Sequence, residues 1–156
     1  MIGFWVLFIS ALLILIPKRQ IKEALYVFLF VQVFTWPVGL AVVELNLIEY
    51  PVRFFPNALK SSFTLEYLVN PVICVFFIHY FPRSSKRIIR VGYYVLWTSL
   101  LTIAESIIEK YTDLIEYINF TWYYGWLVLL FVFYISDLGY IWYFNVKNNK
   151  KPQPAD

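Results

Sequence analysis

Apolar residues run along this chain in five long blocks, separated by short stretches that carry nearly all of the charge. The blocks are Ile2 to Ile16, Ala24 to Val43, Tyr67 to Pro82, Val91 to Ala104 and Thr121 to Phe144, and only the last contains a charged residue, Asp137. A helix rises ~1.5 Å per residue, so about 17–25 residues cross the ~30 Å hydrocarbon layer of a bilayer. The second and fifth blocks have that length unaided. The first, at 15 residues, is slightly short and stops at Pro17-Lys18-Arg19. The third and fourth reach it only by absorbing a carboxylate: starting the third at Phe63 takes in Glu66, and carrying the fourth to Ile108 takes in Glu105. The pattern predicts an all-α polytopic membrane protein, a bundle of five transmembrane helices.

Basic residues orient the bundle. With the N-terminus outside and the C-terminus cytoplasmic, the segments 18–23, 83–90 and the tail from Lys147 hold ten of the thirteen Lys and Arg residues. Cytoplasmic loops retain such residues, so this topology is expected over its inverse. Residues 1–146 read as a single transmembrane domain without linker or repeat, and 147–156 as a short basic cytoplasmic tail. The first block has no basic residue before it and no small-residue cleavage site, which predicts a retained anchor rather than a signal peptide.

Composition agrees with a bilayer as the solvent. Hydrophobic residues make up 61% of the chain and charged ones 15%, an excess of apolar surface that one small soluble core does not hide. The expected location is therefore the cell membrane, multi-pass, with the lipid bilayer as first partner. The net charge of +3 is split into short clusters between spans and gives no reason to expect nucleic acid. The loop from Glu49 to Ser62, with Phe54-Phe55 beside Arg53 and Lys60, suits a segment lying in the interface.

Polar residues inside spans are costly, which makes them the candidates for function. Continuing the second span to Ile48 takes in Glu44, and Glu44, Glu66 and Glu105 then share one level, about 5–6 Å inside the outer boundary. Two readings stand. Each carboxylate is an ordinary helix-end group reaching water, or the three converge on an outward-facing acidic vestibule that binds a cation or an amine, or carries protons. Thr98, Thr102, Glu105 and Glu109 recur at i, i+4, i+7 and i+11, a stripe expected to face the bundle interior. Pro37 and Pro71 interrupt the second and third spans, each freeing a carbonyl that needs another donor. Asn70 lies one turn from Glu66, which leaves two readings: carboxylate, amide and freed carbonyls form one polar pocket, or the prolines are ordinary residues of membrane helices without such a role, the reading favoured here. Gln32 is expected to make an interhelical hydrogen bond. Asp137 lies either inside the bundle, about 10 Å from the inner boundary, or at the cytoplasmic end of a span that stops at Ser136. Glu44, Glu66, Asn70, Glu105 and Asp137 are the candidate ligand- or ion-binding residues.

The chain has no phosphate-binding glycine loop, no His-Glu-x-x-His pair and no serine-hydrolase elbow. With one histidine and one cysteine, Cys74, no catalytic residue, metal site or cofactor is expected. The leading expectation is a non-enzymatic membrane component that binds a partner membrane protein, a second copy of itself or a small ligand. The alternative is a cation- or proton-coupled transporter of small molecules using the outer carboxylates.

Four stretches carry a resemblance: PKRQ at 17–20, WPVGLAVVE at 36–44, EYLVNP at 66–71 and SDLGYIWY at 136–143. In these the chain resembles a family of short multi-spanning membrane proteins from Bacillus-like spore-forming bacteria. The likeness covers roughly residues 12 to 145, and the family has no established activity to imply.

Overall fold

The computed structural model describes residues 2–144. The basic tail expected at 147–156 lies outside them. Five helices follow the five apolar blocks: α1 Ile2–Leu15, α2 Ile21–Glu44, α3 Asn70–His79, α4 Arg87–Tyr111 and α5 Trp122–Phe144. The stretch Lys18–Glu44 and helices α4 and α5 are each long and apolar enough to cross a membrane, whereas α1 and Thr64–His79 are shorter apolar helices. Large apolar side chains cover the outside. Leu25, Leu29 and Val33 on α2 and Leu96, Leu100 and Ile103 on α4 are all exposed. An apolar surface of that extent suits lipid rather than water. The chain is thus a five-helix, all-α protein with three candidate membrane spans.

The core lies between α2, α3 and α5, where Val27, Val31, Val75, Phe77 and Phe133 are buried. Phe77 and Phe133 stack with ring centres 4.4 Å apart. Helix α1 sits at the margin: Trp5 stacks on Phe63 and its indole N–H donates to Thr64 Oγ1 at 3.2 Å. On α4 the only buried residues are Thr98 and Thr102. The polar stripe therefore turns inward. Each threonine hydroxyl donates to a carbonyl one turn back, Tyr94 at 2.8 Å and Thr98 at 2.9 Å, so neither group is left without a partner.

Pro71 reshapes the entry to α3. The six residues Thr64–Val69 form a π turn, and the Asn70 amide reaches back to the Leu65 carbonyl. The next bond of that register would run from residue 71 to Glu66, and an α register would pair 71 with Tyr67. Proline has no N–H for either. Helix α2 supplies both missing donors: Thr35 Oγ1 donates to the Glu66 carbonyl at 3.2 Å and Gln32 Nε2 to the Tyr67 carbonyl at 3.1 Å. Gln32 makes the interhelical bond expected of it. Gln32→Leu is expected to lower stability by about 0.6–2 kcal/mol, the range for interhelical hydrogen bonds in membranes. Thermal unfolding in detergent measures it, and an unchanged midpoint would show that the carbonyl finds another donor.

Helix α2 stops at Glu44 rather than running to Ile48. Asn46 adopts a left-handed conformation at φ 52°. The Leu47 amide then bonds the Val42 carbonyl at 2.9 Å and the Asn46 amide bonds that of Val43 at 3.0 Å. This is a Schellman cap, and asparagine tolerates the positive φ better than most residues. The reversal feeds strand β1, Ile48–Glu49, which pairs antiparallel with β2, Glu116–Tyr117. The two connections, 45–63 and 112–121, are thereby tied together across one end of the bundle. Further bonds run from Val52 to Asp113 and from Ile118 to Leu47. Ile48, Tyr50 and Ile115 are buried beneath this ladder. The segment at 49–62 is accordingly part roof and part exposed surface: Tyr50 points in, while Phe54 and Phe55 remain exposed.

Candidate functional site

Beneath the ladder lies a cavity of about 90 Å³, walled by α2, the π turn, α3, α4 and α5 and roofed by the two connections. On α2 the residues facing it are Thr35, Val38, Gly39 and Val42. Their spacing of three and four is that of one helix face. Two carboxylates line it from separate elements. Glu66 comes from the π turn and is buried, and Glu105 comes from α4 at the end of the threonine stripe. Asn70 joins them one turn after Glu66.

A glycine sets the position of Glu66. A Cβ at Gly39 would lie 2.7 Å from Glu66 Cδ, so that side chain rests directly on the α2 backbone. Gly125 of α5 also lines the cavity; a Cβ there would meet Phe120 Cε1 first, at 3.3 Å, with Glu105 Oε2 at 3.8 Å in ordinary contact range. The sequence reading assigned neither glycine a neighbour. Their signal was present only as small residues within apolar runs, and which side chain would occupy the space depends on tertiary packing.

Hydrogen bonds to the acids are few and long. Tyr50 Oη donates to Glu66 Oε1 and Asn70 Nδ2 to Glu66 Oε2, each at 3.4 Å. Among the described residues Glu105 has no hydrogen-bond partner, and no basic side chain lines the cavity. The roof phenols stay protonated. Burial first, then the neighbouring Glu66 and Glu105 carboxylates, hold the Tyr50 hydroxyl well above its ordinary pKa. Burial followed by Glu105 and Glu109 pushes Tyr117 the same way. Both are therefore neutral hydroxyls at physiological pH, able to donate towards an acid.

The five residues expected from sequence divide into three groups. Glu66, Asn70 and Glu105 share the cavity. Glu44 does not: as the last residue of α2 it is exposed and pairs with Lys60 at 3.0 Å. Equal depth does not imply an equal face, because two residues beyond Val42 a helix has turned by ~200°. Asp137 lies at the opposite end of the bundle. Helix α5 runs on to Phe144, which places Asp137 within the bundle rather than at a helix end. It is buried, accepts a hydrogen bond from Tyr94 Oη at 2.8 Å and lies 2.8 Å from Arg83 Nη2. The Arg83 guanidinium also covers the Tyr140 ring at 4.6 Å, and Tyr140 Oη donates to Glu23 of α2 at 2.5 Å. Asp137 is thus part of a clamp joining α2, α4, α5 and the turn after α3.

The chain matches no protein-family model, no curated protein and no solved structure. The chemistry of the cavity has to be read from its own residues.

Proposed function

We propose that this chain is a five-span protein of the cell membrane, N-terminus outside, whose roofed cavity binds a small ligand through Glu66 and Glu105, without catalysing a reaction. One observation carries the reading. Two acids from separate helices face one cavity that, among the described residues, contains no positive side chain. An ionised acid placed there without a partner is costly, and a bound ligand is the partner that would offset this cost. The five apolar blocks and the basic asymmetry support the span number and the orientation, in which the strand-bearing end faces outward.

Native mass spectrometry of protein purified in mild detergent tests the binding. The parent is expected to carry a small added mass that Glu66→Gln and Glu105→Gln both lack, and identical spectra from all three would overturn the reading. Topology is tested separately by reporter fusions. Fusions after Arg90 should report cytoplasm and one at Thr112 the exterior. An exterior signal at Arg90 would sink the five-span arrangement.

A transporter reading has one specific observation behind it. Buried polar residues continue from the cavity along the inner helix faces, through Thr102, Thr98 and Ser136, to the clamp at Asp137 and Arg83. Protein in proteoliposomes would then acidify or alkalinise the lumen when a cation gradient is imposed, and Asp137→Asn would stop it.

A further inference from the structure

The charge, wall chemistry and size of the cavity narrow its ligand, and the geometry points to a small alkylammonium ion, an inference that rests on the binding reading above. Charge comes first. In their ionised form Glu66 and Glu105 would be stabilised by a positive partner, and the nearby cations are engaged elsewhere: Lys60 with Glu44 at 3.0 Å, and Arg53 with the Tyr50 and Pro56 carbonyls at 2.6 and 3.3 Å. A ligand that pairs with the ionised acids therefore brings its own charge.

Acceptor count comes second. An ammonium group has three N–H donors. The 3.4 Å contacts to Glu66 leave its oxygens with spare capacity, Glu105 has no partner among the described residues, and the Asn70 amide oxygen is a third acceptor in the same cavity. A divalent metal fits less well. Calcium takes 6–8 oxygens and magnesium a near-ideal octahedron, yet the described residues hold no group of three His, Cys, Asp or Glu.

The remaining wall decides between an inorganic and an organic cation. Leu101, Val128 and Phe133 offer no hydrogen bonds to replace a hydration shell, but they suit an alkyl chain. Tyr117 and Phe120 add aromatic rings, whose faces attract cations. Size sets the limit. A cavity of about 90 Å³ is smaller than the ~150 Å³ that holds benzene, so the chain is restricted to a few carbons. Propylammonium is the fitting probe.

The experiment uses the full chain in detergent and combines thermal unfolding with isothermal titration. Propylammonium chloride is compared with sodium chloride, calcium chloride and 1-propanol, on the parent and on Glu44→Gln, Glu66→Gln and Glu105→Gln. Propylammonium alone is expected to raise the midpoint of the parent and of Glu44→Gln. Each cavity substitution is expected to weaken binding about ten- to a hundredfold, the loss of a charged hydrogen bond. Glu105 has no hydrogen bond to lose among the described residues, so its glutamine variant keeps the test open should Glu66→Gln fold poorly. Stabilisation by sodium or calcium that needs both glutamates would overturn the alkylammonium assignment and leave the binding site standing. No response to any solute would overturn both. A propylammonium response that survives in Glu66→Gln and Glu105→Gln would place binding elsewhere and overturn the inference.

Discussion

Replacing Arg83 with methionine is expected to destabilise the protein by about 3–5 kcal/mol, because it leaves Asp137 as a buried charge without its cation. Asp137 sits in α5, the last candidate membrane span, with its side chain 10% exposed, and Arg83 reaches it from the turn after α3 at 2.8 Å. The contact is close without the alignment of a hydrogen bond, so the attraction is that of charge. Tyr94 holds the other carboxylate oxygen. Removing both charges together, in Arg83→Met with Asp137→Leu, should restore most of the lost stability, since apolar replacements of buried ion pairs are often neutral. Thermal unfolding of the two single variants and the double in one detergent makes the comparison. If the double variant is as unstable as the sum of the singles, the two residues are uncoupled and the clamp is not what closes this end.

The clamp also shows where the sequence was readable. Five apolar blocks became five helices. The first, second and fifth blocks end close to the helix ends, whereas α4 runs on past Ala104 to Tyr111. Asp137 was legible as a polar residue needing a partner, but Arg83 was counted only among the basic residues that set orientation. Nothing local ties position 83 to position 137; the turn after α3 brings them together. Glu44 failed for a different reason. Span length fixes depth, whereas facing depends on rotation, and the face of α2 at Thr35, Val38, Gly39 and Val42 excludes position 44. The stripe on α4 succeeded because it carried rotational information: Thr98 and Thr102 are buried and Glu105 follows on the same side. The π turn lay between these cases. Pro71 announced a missing hydrogen bond, but only the packed structure shows Gln32 and Thr35 as its replacements.

The remaining large effect concerns Gly39, and its sign is the test. Glycine within a helix ordinarily destabilises by roughly 0.5–1 kcal/mol relative to alanine, so Gly39→Ala would stabilise α2 if the space beside it were free. It is occupied. The added Cβ would stand 2.7 Å from Glu66 Cδ and 2.8 Å from its Oε1, closer than contact allows. Glu66 is buried and confined by Tyr50, Asn70 and the α2 backbone, so it cannot swing away without giving up those contacts. Gly39→Ala is therefore expected to cost about 1–3 kcal/mol, the loss of the two Glu66 hydrogen bonds as its side chain is pushed toward the cavity. In a Glu66→Ala background the obstacle is gone, and the same change should stabilise by up to about 1 kcal/mol, the helix-propensity gain alone. A double-mutant cycle on thermal stability in detergent reads the reversal directly. Were Gly39→Ala to change stability equally in both backgrounds, Glu66 would not lie against α2. The cavity would then lose the packing that turns its buried acid inward.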